Sequence, residues 1–234
     1  MLETAMIEIF PDSQSLATAA ASAIVDRLGY RLRLKGSASL VVTGGRSPGA
    51  VYDALSAAAL DWSKVSVTLS DERFVDASSP DSNERLVRER LLQGRAARAQ
   101  FLSLRGTASA PQDAAAEASE ALAAWPPFEV VLLGMGEDGH IASLFPGSPA
   151  LASGLGRDAP ACIAVPPGEG QPPAQARLSL TLPRLASSRL VIILASGAEK
   201  RRVLERAHDK ADGTLLPVRA LLQSAPTTRI LWTA

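Results

Sequence analysis

Apolar positions along this chain fall into two alternating patterns. Short apolar runs at residues 39–43 (SLVVT), 65–69 (VSVTL), 128–133 (FEVVLL), 161–165 (ACIAV), 189–195 (RLVIILA) and 229–232 (RILW) read as strands. Several lack the alternation of a half-solvated strand, which suits parallel strands covered on both faces. Between these runs, helical patterns occupy residues 13–31, 48–58, 83–92, 111–124, 198–208 and 217–223. Strand and helix in alternation predict an α/β fold: a doubly wound, mostly parallel sheet flanked by helices. Residues 146–176 are rich in glycine and proline and read as mostly loop, of a composition that permits a lid. No internal repeat or long linker interrupts the chain, so a single domain over residues 1–234 is expected.

Composition narrows the partners. With 47% apolar residues, 234 residues can bury one good core. Lys plus Arg and Asp plus Glu balance at 24 each, so no overall field draws the chain onto nucleic acid or anionic lipid. A small charged ligand must be met locally. The N-terminus carries Glu3 and Glu8 rather than a basic region, and the alanine-rich stretch at 17–23 is broken by Ser22 and followed by Asp26 and Arg27, unlike a signal peptide. No apolar run approaches the roughly 18 to 20 residues of a membrane span, and the lone cysteine, Cys162, excludes an internal disulfide. The expectation is a cytoplasmic protein with no membrane or nucleic-acid partner, a monomer or small homo-oligomer.

In doubly wound sheets the ligand sits beyond the carboxyl ends of the strands, so chemistry is sought just after each strand. After the run at 39–43 comes GGRSP. Gly44 and Gly45 free the backbone there, and Ser47 before Pro48 reads as an N-cap with proline at the first helical position. Free amides at a helix start attract phosphate, and Arg46 adds a charge-assisted fork, although an ordinary strand-to-helix turn needs little more than these residues. After the run at 65–69 comes DERFV. Asp71, Glu72 and Arg73 there place two carboxylates and a guanidinium at the mouth, Arg73 to clamp phosphate or a sugar oxygen and either acid to fix Arg73 or handle protons. Such triplets usually face solvent; the position at a strand end is what singles this one out. Asp81 or Ser82 then caps the next helix, with Asn83 near the mouth.

The stretch LLGMGEDGHIASLFPG, residues 132–147, follows another strand end. Gly134, Gly136 and Gly139 fit GxGxxG, yet no crossover helix of adequate length follows, because Pro146, Gly147, Pro149, Gly154 and Gly156 interrupt it. Asp158 has the separation of a ribose-binding acid but precedes a strand instead of ending one, so a dinucleotide site is rejected. The glycines instead permit a tight turn that brings Asp138 and His140 into the cleft. An imidazole of ordinary pKa near 6.5 takes a proton from water at neutral pH, and Asp138 orients it or shares the load. The second histidine, His208, lies on a charged helix near Asp209 and Lys210 and reads as a solvated bystander.

Together these stretches resemble the 6-phosphogluconolactonase family. The similarity runs through TGGRSP, DERFV with a downstream SN, GMGEDGHIASLFPG, and a late arginine and lysine, here Arg177 in RLSLTL and Lys200 in SGAEK, covering about residues 39–200. Ser47 stands where threonine is common, and Asp76 where proline often follows. The resemblance implies a fold shared with glucosamine-6-phosphate deaminases and ribose-5-phosphate isomerases. It implies hydrolysis of a phosphorylated sugar lactone, 6-phospho-D-glucono-1,5-lactone, in the oxidative pentose phosphate pathway, with no metal, nucleotide or other cofactor. His140 becomes the general base, with Asp138 and Arg73 beside it, and Gly44, Gly45, Arg46, Ser47, Asp71, Arg73, Arg177 and Lys200 form the surround of the substrate and its phosphate. Which cation meets phosphate and which meets the carbonyl stays open.

Two alternatives compete. An amino-sugar phosphate deaminase or isomerase needs a carboxylate in the block after DGH, where the resembling sequence is IAFNEPG; here Leu144 and Phe145 stand in those places. A non-catalytic sugar-phosphate sensor would add a basic helix-turn-helix, and only one amphipathic helix fits before residue 39. Cys162, inside an apolar run, reads as an inert buried thiol, and Trp62, Trp125 and Trp232 as packing residues.

Overall fold

The computed structural model describes residues 6–168, 174–209, 215–225 and 227–234. Lys210, part of the charged surroundings expected for His208, and residues 169–173 of the stretch that permits a lid lie outside the described residues.

A seven-stranded parallel sheet forms the centre. Its strands are β1 (Ile7–Phe10), β2 (Ala38–Val42), β3 (Val65–Leu69), β5 (Gln100–Leu102), β6 (Val130–Gly134), β9 (Val191–Ser196) and β10 (Thr228–Thr233), and they lie in the order β1-β10-β9-β6-β2-β3-β5. The remaining strands, β4 (Asp71–Arg73), β7 (Cys162–Val165) and β8 (Arg177–Leu180), form a small antiparallel sheet in the order β4-β8-β7. The described α-helices are α1 (Ser13–Lys35), α2 (Gly49–Ser56), α3 (Asn83–Arg90), α4 (Pro111–Ala123), α5 (Leu151–Leu155), α6 (Leu182–Ala186), α7 (Ala198–His208) and α8 (Pro217–Ser224). No described helix is long and apolar enough to cross a membrane.

The central strands are parallel because their apolar runs leave no polar face to solvate: all five residues of β2 are buried, as are Val130, Val131, Leu132 and Leu133 of β6. Helix α1 starts where the Asp12 carboxylate accepts the Ser15 N–H at 2.6 Å and stops at Gly36, whose φ of 76° ends the helix in the left-handed conformation. It therefore runs past residue 31, the limit read from its pattern. Its inner face buries Leu16, Ala20, Ile24 and Leu28, and each fully buried Leu or Ile stabilises by about 1.5–3 kcal/mol.

Two expectations change. The run at 161–165 is a strand, but it pairs antiparallel in the small sheet, through Cys162↔Leu180 and Val165↔Arg177. Ser47 does not cap α2: the helix begins at Gly49 with Pro48 at the cap position and no side-chain cap bond. Proline fixes its own φ and forms the turn itself, leaving the exposed Ser47 outside. Ser82 rather than Asp81 caps α3, its hydroxyl accepting the Arg85 N–H at 3.1 Å.

Candidate active site

The chain runs outward from β2 through β3 to β5 and then returns to place β6 on the other side of β2. The order thus reverses between β2 and β6, and at such a switch point the loops after the two strands part to leave a crevice. A cleft of about 770 Å³ opens there, lined by Gly44 to Pro48 after β2, Gly134 to Glu137 and His140 after β6, and Asp71, Arg73, Asn83, Arg177 and Lys200.

After β2 the backbone stays free. Gly45 has φ of 90°, and among the described residues the main-chain N–H groups of 44–47 meet no protein acceptor. Successive unpaired N–H groups in a turn form an anion-binding concavity. The loop is anchored from below by Tyr52 of α2, whose buried hydroxyl accepts the Thr43 N–H at 3.0 Å and donates to the Thr43 carbonyl. Burial holds that phenol protonated, far above its ordinary range. Lys200, on the first turn of α7, is half-buried in the cleft. Burial lowers its pKa, the Arg46 charge lowers it further, and Glu137 opposes both.

The small sheet carries the second cationic group. Arg73 of β4 and Arg177 of β8 are direct register partners, an arrangement of like charges that costs stability unless an anion lies between or beside them. Asp71 supplies part of that compensation. It is 5% exposed, its carboxylate accepts from Ser70 Oγ at 2.8 Å and Ser143 Oγ at 2.7 Å, and it lies 3.9 Å from Arg177. Burial lowers the pKa of Arg177; Asp71 opposes this and Arg73 adds to it. Neither acid of the DER triplet holds the Arg73 guanidinium. That group donates to the Asp81 carbonyl at 2.6 Å and to Asn83 Oδ1 at 3.3 Å. Glu72 instead turns inward and accepts the main-chain N–H groups of Arg73, Asn83 and Glu84 and the Ser82 hydroxyl, tying β4 to the start of α3.

The turn after β6 frames an imidazole. His140 Nδ1 lies 2.6 Å from Asp138 Oδ1, and the same oxygen accepts the His140 N–H at 3.1 Å. Burial raises the Asp138 pKa, but the hydrogen bonds and charge of His140 outweigh it, so the carboxyl stays below its ordinary value. Gly136 has a steric reason: a Cβ there would fall 2.2 Å from His140 Nδ1 and 2.5 Å from Asp138 Oδ1. Behind the imidazole lies the buried ring of Phe145, centroid to centroid 4.4 Å. With Nδ1–H donated to Asp138, the Nε2 lone pair is free to take a proton.

Thus Gly44, Gly45, Arg46, Ser47, Asp71, Arg73, His140, Arg177 and Lys200 all line one cleft, and Asp138 stands behind His140. His208 does not line it; its Nδ1 lies 2.7 Å from the Leu204 carbonyl. Cys162 is buried and its thiol pushed up by burial to about 12. None of the tryptophans lines the cleft. Missed in the sequence were Tyr52, which carries no local signal, Ser143, within the quoted IASLFPG block, and Ser13 and Gln14 at the mouth. Recognising β1 would have found the last two, because they follow its carboxyl end.

A family model described as glucosamine-6-phosphate isomerases/6-phosphogluconolactonase matches residues 11–232. The chain is 42% identical over 228 residues to the 6-phosphogluconolactonase of Caulobacter vibrioides, covering 97% of this chain and 96% of that protein. It is 39% identical to that of Rhizobium meliloti, covering 98% and 99%. The crystal structure of a 6-phosphogluconolactonase from Shewanella baltica superposes with a TM-score of 0.92 at 37% identity over the whole of both chains. A monomeric glucosamine-6-phosphate deaminase, 19% identical with a TM-score of 0.77, shares the fold. By the extent and closeness of these matches, the chain belongs to the glucosamine-6-phosphate isomerase/6-phosphogluconolactonase family.

Proposed function

We infer that the chain hydrolyses 6-phospho-D-glucono-1,5-lactone to 6-phospho-D-gluconate, the second step of the oxidative pentose phosphate pathway. The observation that carries this reading is the Asp138–His140 pair, 2.6 Å apart, at a cleft that also holds cations and main-chain N–H groups without an acceptor among the described residues. The same reading makes residues 1–234 one catalytic domain, cytoplasmic, working as a monomer or small homo-oligomer.

Asp138 accepts Nδ1–H and fixes the tautomer; His140 Nε2 takes a proton from water. The hydroxide adds to the lactone carbonyl carbon, and the negative charge that gathers on the carbonyl oxygen is stabilised by the guanidinium side of the cleft, Arg73 foremost. When the tetrahedral species collapses, the bond from the carbonyl carbon to the ring oxygen breaks and the imidazolium returns its proton to that oxygen. The products are the open-chain hydroxyl and a carboxylic acid, which releases its proton to solvent and leaves as the carboxylate. Residues 44–47, Arg46, Arg177 and Lys200 hold the anionic substrate in register, and Asp71, 3.9 Å from Arg177, offsets part of the repulsion between the paired arginines.

The deaminase reading loses support at Phe145. Its ring packs on His140 where that chemistry calls for a carboxylate. The test supplies 6-phosphogluconolactone made in place, with the spontaneous rate subtracted, beside unphosphorylated gluconolactone and glucosamine 6-phosphate. Acceleration of the phosphorylated lactone well above the unphosphorylated one is expected. Ammonia release from glucosamine 6-phosphate without lactone turnover would overturn the reading.

A further inference from the structure

Asn83 is bonded to all three residues of the DER triplet yet belongs to none of the reactive groups. It opens α3, is 3% exposed, and its N–H is held by Glu72 at 2.8 Å. Its side chain bridges two strand residues: Nδ2 donates to the Asp71 carbonyl at 2.8 Å, and Oδ1 accepts from Arg73 at 3.3 Å. A carbonyl only accepts and a guanidinium only donates, so the amide has one orientation that satisfies both. Aspartate would lose the donor to Asp71, and a hydrophobic residue would lose both bonds.

Space is reserved for this amide at the end of β2. A Cβ on Gly44 would lie 1.9 Å from Asn83 Oδ1 and 2.3 Å from its Cγ. The glycine after β2 thus serves a second end beyond freeing the amide loop: it lets α3 push a side chain between β2 and β4. The Asn83 contact and the Asp81 carbonyl, 2.6 Å from the same Arg73 nitrogen, together define where the guanidinium points.

We propose that Asn83 is the positioning residue that aims Arg73 into the cleft, and that Gly44 is the space kept clear for it. This rests on the reading of Arg73 as part of the lactone site. The effect of Asn83 runs through Arg73, so it disappears when Arg73 is gone. A merely structural asparagine would not behave so.

The experiment is a double-mutant cycle on kcat/KM for 6-phosphogluconolactone, with thermal unfolding followed for every variant. Asn83→Ala is expected to lower kcat/KM by about ten- to a hundredfold in the native chain, the scale of a misplaced catalytic group. In the Arg73→Ala background the same change should cost less than about twofold. Gly44→Ala displaces the amide but also disturbs the loop that meets substrate, so its cost should fall without vanishing in the Arg73→Ala background. Asn83→Ser, too short to reach both partners, should show the same pattern as Asn83→Ala, and it decides the matter if Asn83→Ala does not fold. Equal fold-losses with and without Arg73, or an undiminished kcat/KM in folded Asn83→Ala, overturn the positioning role. A harmless Arg73→Ala overturns both this proposal and the reading of Arg73 on which it rests.

Discussion

At the scale of single residues, the site is a set of groups whose partners restrict what each can do. Asp138 is charged and committed to His140, so Asp138→Asn should lower kcat by about 10- to 100-fold with a smaller change in KM, because the tautomer is no longer enforced. The Asp138 pKa is depressed, so its stabilising contribution is complete above the ordinary carboxylate value of about 3.9 and is lost only as pH falls through the lower folded value. Acid loss of activity near neutrality therefore does not come from this carboxyl. Lys200 behaves in the opposite sense. Its lowered pKa means that the cation is lost at a pH below the ordinary lysine value of about 10.4. Calorimetric affinity for 6-phosphogluconate should weaken across that alkaline range, and Lys200→Arg should hold it; an unchanged alkaline profile would remove Lys200 from the anion site.

The Asp138 and His140 pair was legible because two residues separated by one glycine must meet wherever a tight turn places them. The Ser47 cap was not. Ser-Pro carries the same local signal whether the helix starts at the proline or one residue later.

Elements show where sequence patterns run out. The central strands β2, β6 and β9 declare themselves because burial on both faces favours an unbroken apolar run, and β3 and β10 keep enough of that run to be read. Strands β1, β4, β5 and β8 have three or four residues each, too few for a period to show, and they exist because neighbours supply the ladder. The DER triplet is one of them: charge hid a strand whose register sets Arg73 opposite Arg177. Glu72 is the part of that triplet that belongs to the fold. Glu72→Ala should destabilise the protein by about 2 kcal/mol or more, since three main-chain N–H groups and a hydroxyl lose their acceptor. A melting temperature unaltered by the change would show that water replaces the carboxylate fully. Tyr52→Phe should cost about 1–3 kcal/mol and raise KM, because it strips the Thr43 N–H and carbonyl at the root of the amide loop.

Across the whole molecule, the fold brings loops that are far apart in sequence to one end of the sheet, at the reversal between β2 and β6. Glycine and phosphate-seeking patterns after apolar runs made that convergence readable, and the small antiparallel sheet that carries the arginine pair was not readable, because nothing local says that 71–73 and 177–180 will meet. The central claim is that His140, framed by the glycine turn, activates water for lactone opening. The most direct test compares hydrolysis of 6-phosphogluconolactone by the native chain and His140→Ala, with the spontaneous rate subtracted and unfolding curves superimposed. The account predicts a loss of about 10²- to 10⁴-fold in kcat with folding intact; a folded His140→Ala variant that opens the lactone at the native rate would contradict it.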